Sequence, residues 1–366
     1  MIRQVKSVPG LIRSIMPVMK EEARFALTVE QTFQAKDIYL VGSGDSLIAA
    51  RAAAMAFTEL AGVDVHVLSS LEASRYTAQG QMPYPANHCL VVAISNSGET
   101  ARVVEAVLRF KKTGAMTLGI SANRGSSLGR ICDSIVCTKL ESFDQAPEVR
   151  SFIANLLALY MLAIRMGENK GLYTMDCASR YRDEILSIAA LTEDVISGSA
   201  EKLKRMAKIC VEENDVEFLG SGPSKGAAEF GVAKIIEATG TRALAQDWEE
   251  FAHVNFFRRE PNRIPTVLFV PSATPAMSRI LELIWLLGHL GRPYLLITDL
   301  WNEQVDNIVS AGGEMDELFI PLYMATMAGQ MAAYMNMFID EDYYRGHLGV
   351  WDESQFHINK QSAIEM

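Results

Sequence analysis

The sequence predicts an α/β chain built on two parallel sheets, each covered by helices on both faces. Three observations carry that prediction. Short apolar runs alternate with amphipathic stretches from Asp37 onward, the pattern of strand and crossover helix. Glycine- and hydroxyl-rich turns follow strand candidates directly, and each opens a helix. One such turn, Gly42-Ser43-Gly44-Asp45-Ser46, returns as Gly220-Ser221-Gly222-Pro223-Ser224 about 178 residues later, which marks an internal duplication.

In chain order, residues 1–36 read as a helical segment. A first domain over 37–170 contains strand candidates at 38–41, 65–68, 90–94, 117–120 and 134–137, with helices predicted at 47–60 and 99–112. Helical periodicity rich in Leu, Ala and Met covers 152–166 and 181–211. Residues 171–209 are read as connecting helices, and both stretches are expected to pack across the two sheets. The second domain, 210–339, has strand candidates at 216–219, 242–245, 266–270, 294–298 and 318–320 and a helix at 225–239. Met324, Met327, Met331, Met335 and Met337 are spaced like one helix face, and core packing explains them better than a cofactor role. The tail, 340–366, is polar and aromatic, with His347, Trp351, His357 and Lys360, and is expected to wrap onto a site or a partner chain.

Composition narrows the function. At 366 residues and 49% hydrophobic content the chain has material for two ordinary cores. A net charge of −10 without a Lys/Arg block argues against nucleic acid or anionic lipid as a partner. The five cysteines are an odd number without a CxxC pair. They suit buried thiols in a reducing compartment, with no structural zinc and no other metal. With no signal-like N-terminus and no run of 18 uninterrupted apolar residues, the expected location is the cytoplasm.

The most informative stretch is Leu90 to Thr100, where a buried strand breaks into Ser95-Asn96-Ser97-Gly98-Glu99-Thr100 before a helix. Helix N-termini present unpaired amides and a positive dipole end, and three hydroxyls add donors, so the turn suits phosphate. Gly98 would let backbone and ligand approach closely. A Ser or Thr at this place is also an ordinary N-cap. Three hydroxyls and a glycine in six residues favour the anion. In the second half Pro271-Ser272-Ala273-Thr274-Pro275 takes this position, without the glycine and with two prolines that bring no amide proton, so one phosphate site per chain is expected.

These motifs resemble the double sugar isomerase (SIS) family, in particular the isomerase half of glucosamine-6-phosphate synthase. SNSGET at 95–100 is similar to the family's S-x-S-G-E-T phosphate loop. The resemblance implies two doubly wound parallel-sheet SIS domains, flavodoxin-like three-layer α/β/α units. It also implies that Ser95, Asn96, Ser97 and Thr100 hold a sugar phosphate, with Ser43 and Ser46 lining the same pocket. Lys234 and Glu237 sit like the Lys and Glu of the synthase's A-L-K-L-K-E-I helix. His253 and Glu250 fall like the His and the Glu of its E-L-K-H motif. Phe230 stands before Gly231 where the synthase has a Glu, so that contact is not carried over. Lys360 resembles the near-terminal Lys that opens the sugar ring through a Schiff base. With no glutaminase segment ahead of the first SIS unit, ammonia from glutamine is not expected.

The same Glu-to-His separation marks deglycases that split 6-phosphorylated fructosamine or glucosamine adducts of amino acids, and length and tail suit that branch better. The expected reaction releases hexose 6-phosphate and free amine without metal or organic cofactor. A base removes the proton beside the carbonyl, an enaminol forms, an acid reprotonates the neighbouring carbon, and water attacks the imine. Glu237, on an apolar helix end, is expected to be buried and therefore a weakened acid and better base, with His253 as proton donor. Thirteen residues of helix, about 20 Å, separate Ser224 from Glu237. Glu237 is thus expected to serve a ligand held by the first half, with His253 arriving from a second subunit of a homodimer or higher homo-oligomer. The alternatives are a glucosamine-6-phosphate isomerase or deaminase and a non-catalytic phosphosugar sensor. A DNA-binding helix pair, which a regulator would carry, is not found in residues 1–36.

Overall fold

The computed structural model describes residues 1–77, 86–300, 306–352, 359–360 and 362–365. The chain folds into two compact units that interleave in sequence. The amino unit comprises Ile12–Ser142, Ser151–Asp183 and Asp352–Met366, and the carboxyl unit Met1–Leu11, Phe143–Arg150 and Glu184–Trp351. The first helix, α1 (Ile2–Ala26), therefore begins in one unit and ends in the other.

In the amino unit, α2 (Val29–Gln34) starts with a reciprocal cap in which Thr28 accepts from the Gln31 amide and Gln31 from the Thr28 amide. There follow β1 (Asp37–Gly42), α3 (Asp45–Ala61), β2 (Asp64–Ser69), β3 (Cys89–Ile94), α4 (Ala101–Thr113), β4 (Met116–Ser121), α5 (Ser127–Ile131) and β5 (Ser134–Cys137). All five strand expectations hold to within a residue at each end. The strands pair in parallel in the order β2-β1-β3-β4-β5. The winding direction thus reverses between β1 and β3, which places a crevice at their carboxyl ends. β3 and β4 are buried along their whole length, which is why they read as continuous apolar runs rather than alternating ones. Tyr39, Val41, Val91, Ala106 and Phe110 pack together between sheet and α4.

Two long helices come next. α6 (Arg150–Lys170) is long and apolar enough to cross a membrane by composition, but 83% of its apolar window is buried in the protein, the character of a core helix. The helical stretch expected at 181–211 is built from two helices, α7 (Met175–Gly198) and α8 (Ala200–Glu213), divided at Ser199. α6 from Ser151 belongs to the amino unit and α8 to the carboxyl unit, where it packs on α12 and on the second sheet.

The carboxyl unit repeats the plan with β6 (Asp215–Leu219), α9 (Pro223–Thr239), β7 (Arg242–Gln246), α10 (Trp248–His253), β8 (Thr266–Val270), α11 (Met277–His289), β9 (Tyr294–Thr298), β10 (Ile308–Ser310) and α12 (Pro321–Ile339). Its strand order, β10-β9-β8-β6-β7, is the first sheet's order read from the other edge. The duplication extends to backbone detail: Gly44 and Gly222, each capping its helix, have φ/ψ of 53°/−132° and 54°/−137°. Of the ten strand expectations, 318–320 is corrected. There the amides of Phe319 and Ile320 donate to the Asp316 carbonyl at 3.0 and 3.1 Å, a turn leading into α12, and the edge strand is Ile308–Ser310. Met324, Met327, Met331 and Met335 are fully buried, and Met337 lies on the exposed end of α12.

Candidate active site

In the amino unit two hydroxyl-bearing turns stand at the carboxyl ends of the neighbouring strands β1 and β3, on either side of the switch in winding. In the turn after β3, Ser95 is buried and its hydroxyl shares a proton with that of Thr100 at 3.0 Å while accepting from the Gly98 amide at 3.1 Å. One hydroxyl of the pair therefore keeps a proton to give elsewhere. The Ser97 hydroxyl accepts from the Glu99 amide at 3.2 Å and likewise retains its own proton, on an exposed residue. Asn96 is exposed, and its carbonyl is held from below by the Ala122 amide at 2.9 Å and the Ser121 hydroxyl at 3.2 Å.

Gly98 has φ +69°, and a Cβ there would lie 2.0 Å from Ser126 Oγ and 2.8 Å from Ser121 Oγ. The serines packed beneath the turn are by themselves enough to require the glycine. Glu99, the one acid in the turn, directs its carboxylate to Ser127, whose amide and hydroxyl donate at 2.9 and 2.6 Å. Those two bonds hold its acid below the usual range, and the charges of Arg130 and Lys360 add to this. α4 starts at Ala101, two residues later than expected, with Thr100 at its N-cap. The Ala101 amide donates to the Asn359 carbonyl at 2.8 Å, so the tail covers one of the first-turn amides. Lys360 is exposed beside this contact, and His357 lies outside the described residues.

In the turn after β1, Gly42 leaves room for the chain to double back, since a Cβ would meet Leu47 N at 2.8 Å. The exposed Ser43 bonds its hydroxyl to that of Ser70 at 2.5 Å, and Ser46 is buried in the first turn of α3. Ser70, Ser121, Ser126 and Ser127 were not anticipated. The hydroxyl pair at 69–70 directly after a strand is a signal that sequence alone offers.

The matching crevice of the carboxyl unit has opposite chemistry. The Ser272 hydroxyl and amide both donate to Asp299, the amide at 2.7 Å, and the Met315 amide joins them at 2.8 Å. The Ser221 hydroxyl donates to Asp247. Burial raises the Glu317 acid above its usual range. A bond from Thr274 opposes this, and Asp316 and Asp299 nearby add to it. Here the hydroxyls are spent on carboxylates, and an anion would meet like charge.

Also in the carboxyl unit, Lys234, almost fully buried on α9, reaches Glu237 Oε2 at 2.5 Å. The Glu237 side chain is 30% exposed rather than buried, and Ile236 beside it is exposed as well. The nearest charged group to this carboxylate is thus a lysine on its own helix. The expected burial of Glu237 is therefore corrected. Among α9's neighbours, the Tyr344 hydroxyl lies 3.4 Å from the same oxygen. His253, at the end of α10, is exposed despite its aromatic flanks and pairs with Glu249 Oε1 at 3.1 Å, not with Glu250. The turn behind it is anchored by buried Asn255, which donates to Glu217 at 3.1 Å and accepts from Gln246 at 3.1 Å. Arg258 and the fully buried Arg292 also grip Glu217. Among the described residues no group of His, Cys, Asp and Glu is arranged to hold a metal ion.

Known proteins share this architecture. The SIS domain family matches residues 32–165, the stretch that holds both hydroxyl turns. A glutamine–fructose-6-phosphate aminotransferase (isomerizing) of Clostridium acetobutylicum is 24% identical over 261 residues, 69% of this chain and 42% of that protein. The chain thus aligns with well under two thirds of such a relative's length. Among solved structures, the C-terminal domain of glucosamine-fructose-6-phosphate aminotransferase from Francisella tularensis superposes with a TM-score of 0.79 at 19% identity, covering 91% of this chain and 96% of that one. A glucosamine-6-phosphate deaminase from Thermotoga maritima gives 0.64 at 18% identity, covering 91% and 96%. Both likenesses extend over the two sheets and establish a common fold. Over residues 32–165 the chain is similar to the SIS domain family.

Proposed function

We propose that this protein binds a 6-phosphorylated sugar at the β1/β3 crevice and is a cofactor-independent enzyme, a deglycase that splits a fructosamine or glucosamine 6-phosphate adduct of an amino acid. The observation that carries the reading is the pair of hydroxyl turns at the switch point of the SIS-matched sheet, with proton donors remaining on Ser97 and on the Ser95–Thr100 pair. Neutral donors and a helix dipole suit a phosphate in a chain of net charge −10, because no basic patch is needed to hold it. Asn96, Ser43 and Ser46 complete the proposed phosphate seat.

In this reading Glu237, held by Lys234, removes the proton beside the sugar carbonyl, and His253 with Glu249 behind it returns a proton to the neighbouring carbon. Lys360 opens the sugar ring, and the active form is a homodimer or higher homo-oligomer acting in the cytoplasm. Phosphate held at a fixed place contributes binding energy away from the reacting carbons.

The test is incubation with fructoselysine 6-phosphate, glucoselysine 6-phosphate and glucosamine 6-phosphate, reading released amine. Release from either lysine adduct supports the deglycase, and release from glucosamine 6-phosphate alone supports a deaminase. Binding of glucose 6-phosphate without release from any of the three supports a sensor. Glu237→Gln and His253→Ala should each lower turnover by roughly 10²-fold or more while leaving hexose 6-phosphate affinity within a few fold. Unchanged turnover in both would remove them from the chemistry.

A further inference from the structure

Four consecutive residues after α12, Tyr344, Arg345, Gly346 and His347, have φ of 54°, 56°, 64° and 51°. Side chains other than glycine rarely adopt this left-handed region, and three bulky ones in a single turn persist only where surrounding contacts impose them. Those contacts are present, and they converge on the last turn of α9. The Arg345 guanidinium donates to the Ile236 carbonyl at 3.3 Å, which the Gly240 amide also meets at 2.9 Å, and to the Glu237 carbonyl at 3.1 Å, near the end of the helix where carbonyls lack intrahelical partners. Gly240 clears the way, since a Cβ there would stand 2.4 Å from Arg345 Nη1. Asn336 of α12 fastens both sides, donating to the Ala238 carbonyl at 2.9 Å and the Glu341 carbonyl at 2.8 Å. The product of this bracing is the placement of one hydroxyl, that of Tyr344, 3.4 Å from Glu237 Oε2, with its ring stacked on His347 at 5.2 Å.

We propose that Tyr344 is a positioning residue for Glu237: the left-handed strap, anchored by Arg345 to the end of α9, holds the hydroxyl on the carboxylate oxygen that Lys234 also grips. The role assigned to Glu237 rests on the function proposed above, whereas the contact itself does not. Two donors on one oxygen fix the carboxylate's rotation and stabilise its charge. The titratable and charged groups facing Glu237 include Lys234 from its own helix and Tyr344, Arg345 and, behind the ring, His347 from the strap. α12 brings the neutral Asn336 to the same place.

The experiment compares the full-length protein with Tyr344→Phe, which keeps the ring and its stacking and removes the hydroxyl. The Glu237 carboxyl carbon is followed by ¹³C NMR against pH and assigned by its disappearance in Glu237→Gln. Its titration midpoint should rise by about one pH unit in Tyr344→Phe, as loss of a hydrogen bond to a charged group implies. In the amine-release assay kcat should fall about tenfold with KM within twofold, and the acidic limb of the profile should move by the same amount. Arg345→Ala, which frees the strap, should reproduce the NMR shift. An unchanged Glu237 titration in Tyr344→Phe overturns the proposal. If the titration moves while Glu237→Gln retains full turnover, the contact stands and the catalytic reading of Glu237 falls.

Discussion

Gly98 shows how much of a site rests on one missing side chain. Gly98→Ala places a methyl against Ser126 and an L residue at positive φ, and should cost about 1–3 kcal/mol of stability along with hexose 6-phosphate binding. Chemical denaturation and calorimetric titration read the two losses. Ser95→Ala is milder in packing but deprives Thr100 and the Gly98 amide of their shared partner, so affinity should drop at least about tenfold in a folded protein. At this scale the sequence was informative where chemistry is local: hydroxyls and a glycine within six residues announce the turn. It was silent on Tyr344, which meets Glu237 across 107 positions of chain, and on Ser126, whose place beneath Gly98 depends on a neighbouring strand's turn. It also misjudged Glu237, because helical spacing shows Lys234 within reach but not whether the carboxylate faces solvent.

Among the elements, α4 does the most for the proposed phosphate seat. Its N-terminus meets the turn, and its outer face carries the fully buried Glu105 ringed by Arg75, Arg102 and Arg109. The tail settles on this cluster: Arg102 binds Ser362 and Ala363, Arg109 the Glu365 carbonyl, and the Glu365 amide donates to Glu105 at 3.1 Å. Glu105→Gln removes the charge that all three guanidiniums share and should cost about 3 kcal/mol in urea unfolding while loosening residues 359–365 toward carboxypeptidase. Central strands and helices were legible because burial writes a long apolar signature. The edge strand Ile308–Ser310 was not, since three residues carry no period, and the apolar 318–320 run drew the assignment instead although Asp316 turns it toward α12.

For the whole molecule, acid lability follows from its paired carboxylates. Burial alone would raise the acid of Asp215, but bonds from Arg242 and Arg258 outweigh it and hold it below the usual range. Glu105, buried and bonded by Arg75, behaves alike. A lowered folded value stabilises fully above the unfolded value of about 4 and is lost as pH falls through the folded one. These groups should therefore leave Tm level from pH 7 to 5 and lower it below about 4. Glu317, raised by burial, has the reverse sign, and Glu317→Gln should increase Tm at pH 7. The acidic second crevice further implies one hexose 6-phosphate per chain by calorimetry. The two-sheet plan was readable from alternation and the repeated glycine turn, but the interleaving of the units was not, because no local pattern marks where α1 passes from one to the other. That interleaving bears on synthesis. The carboxyl unit needs residues 1–11 together with those up to Trp351, and the amino unit ends only beyond Asp352. A nascent chain can therefore close the carboxyl core only once residues up to Trp351 have emerged, whereas the strands of the amino unit are all made by Cys137.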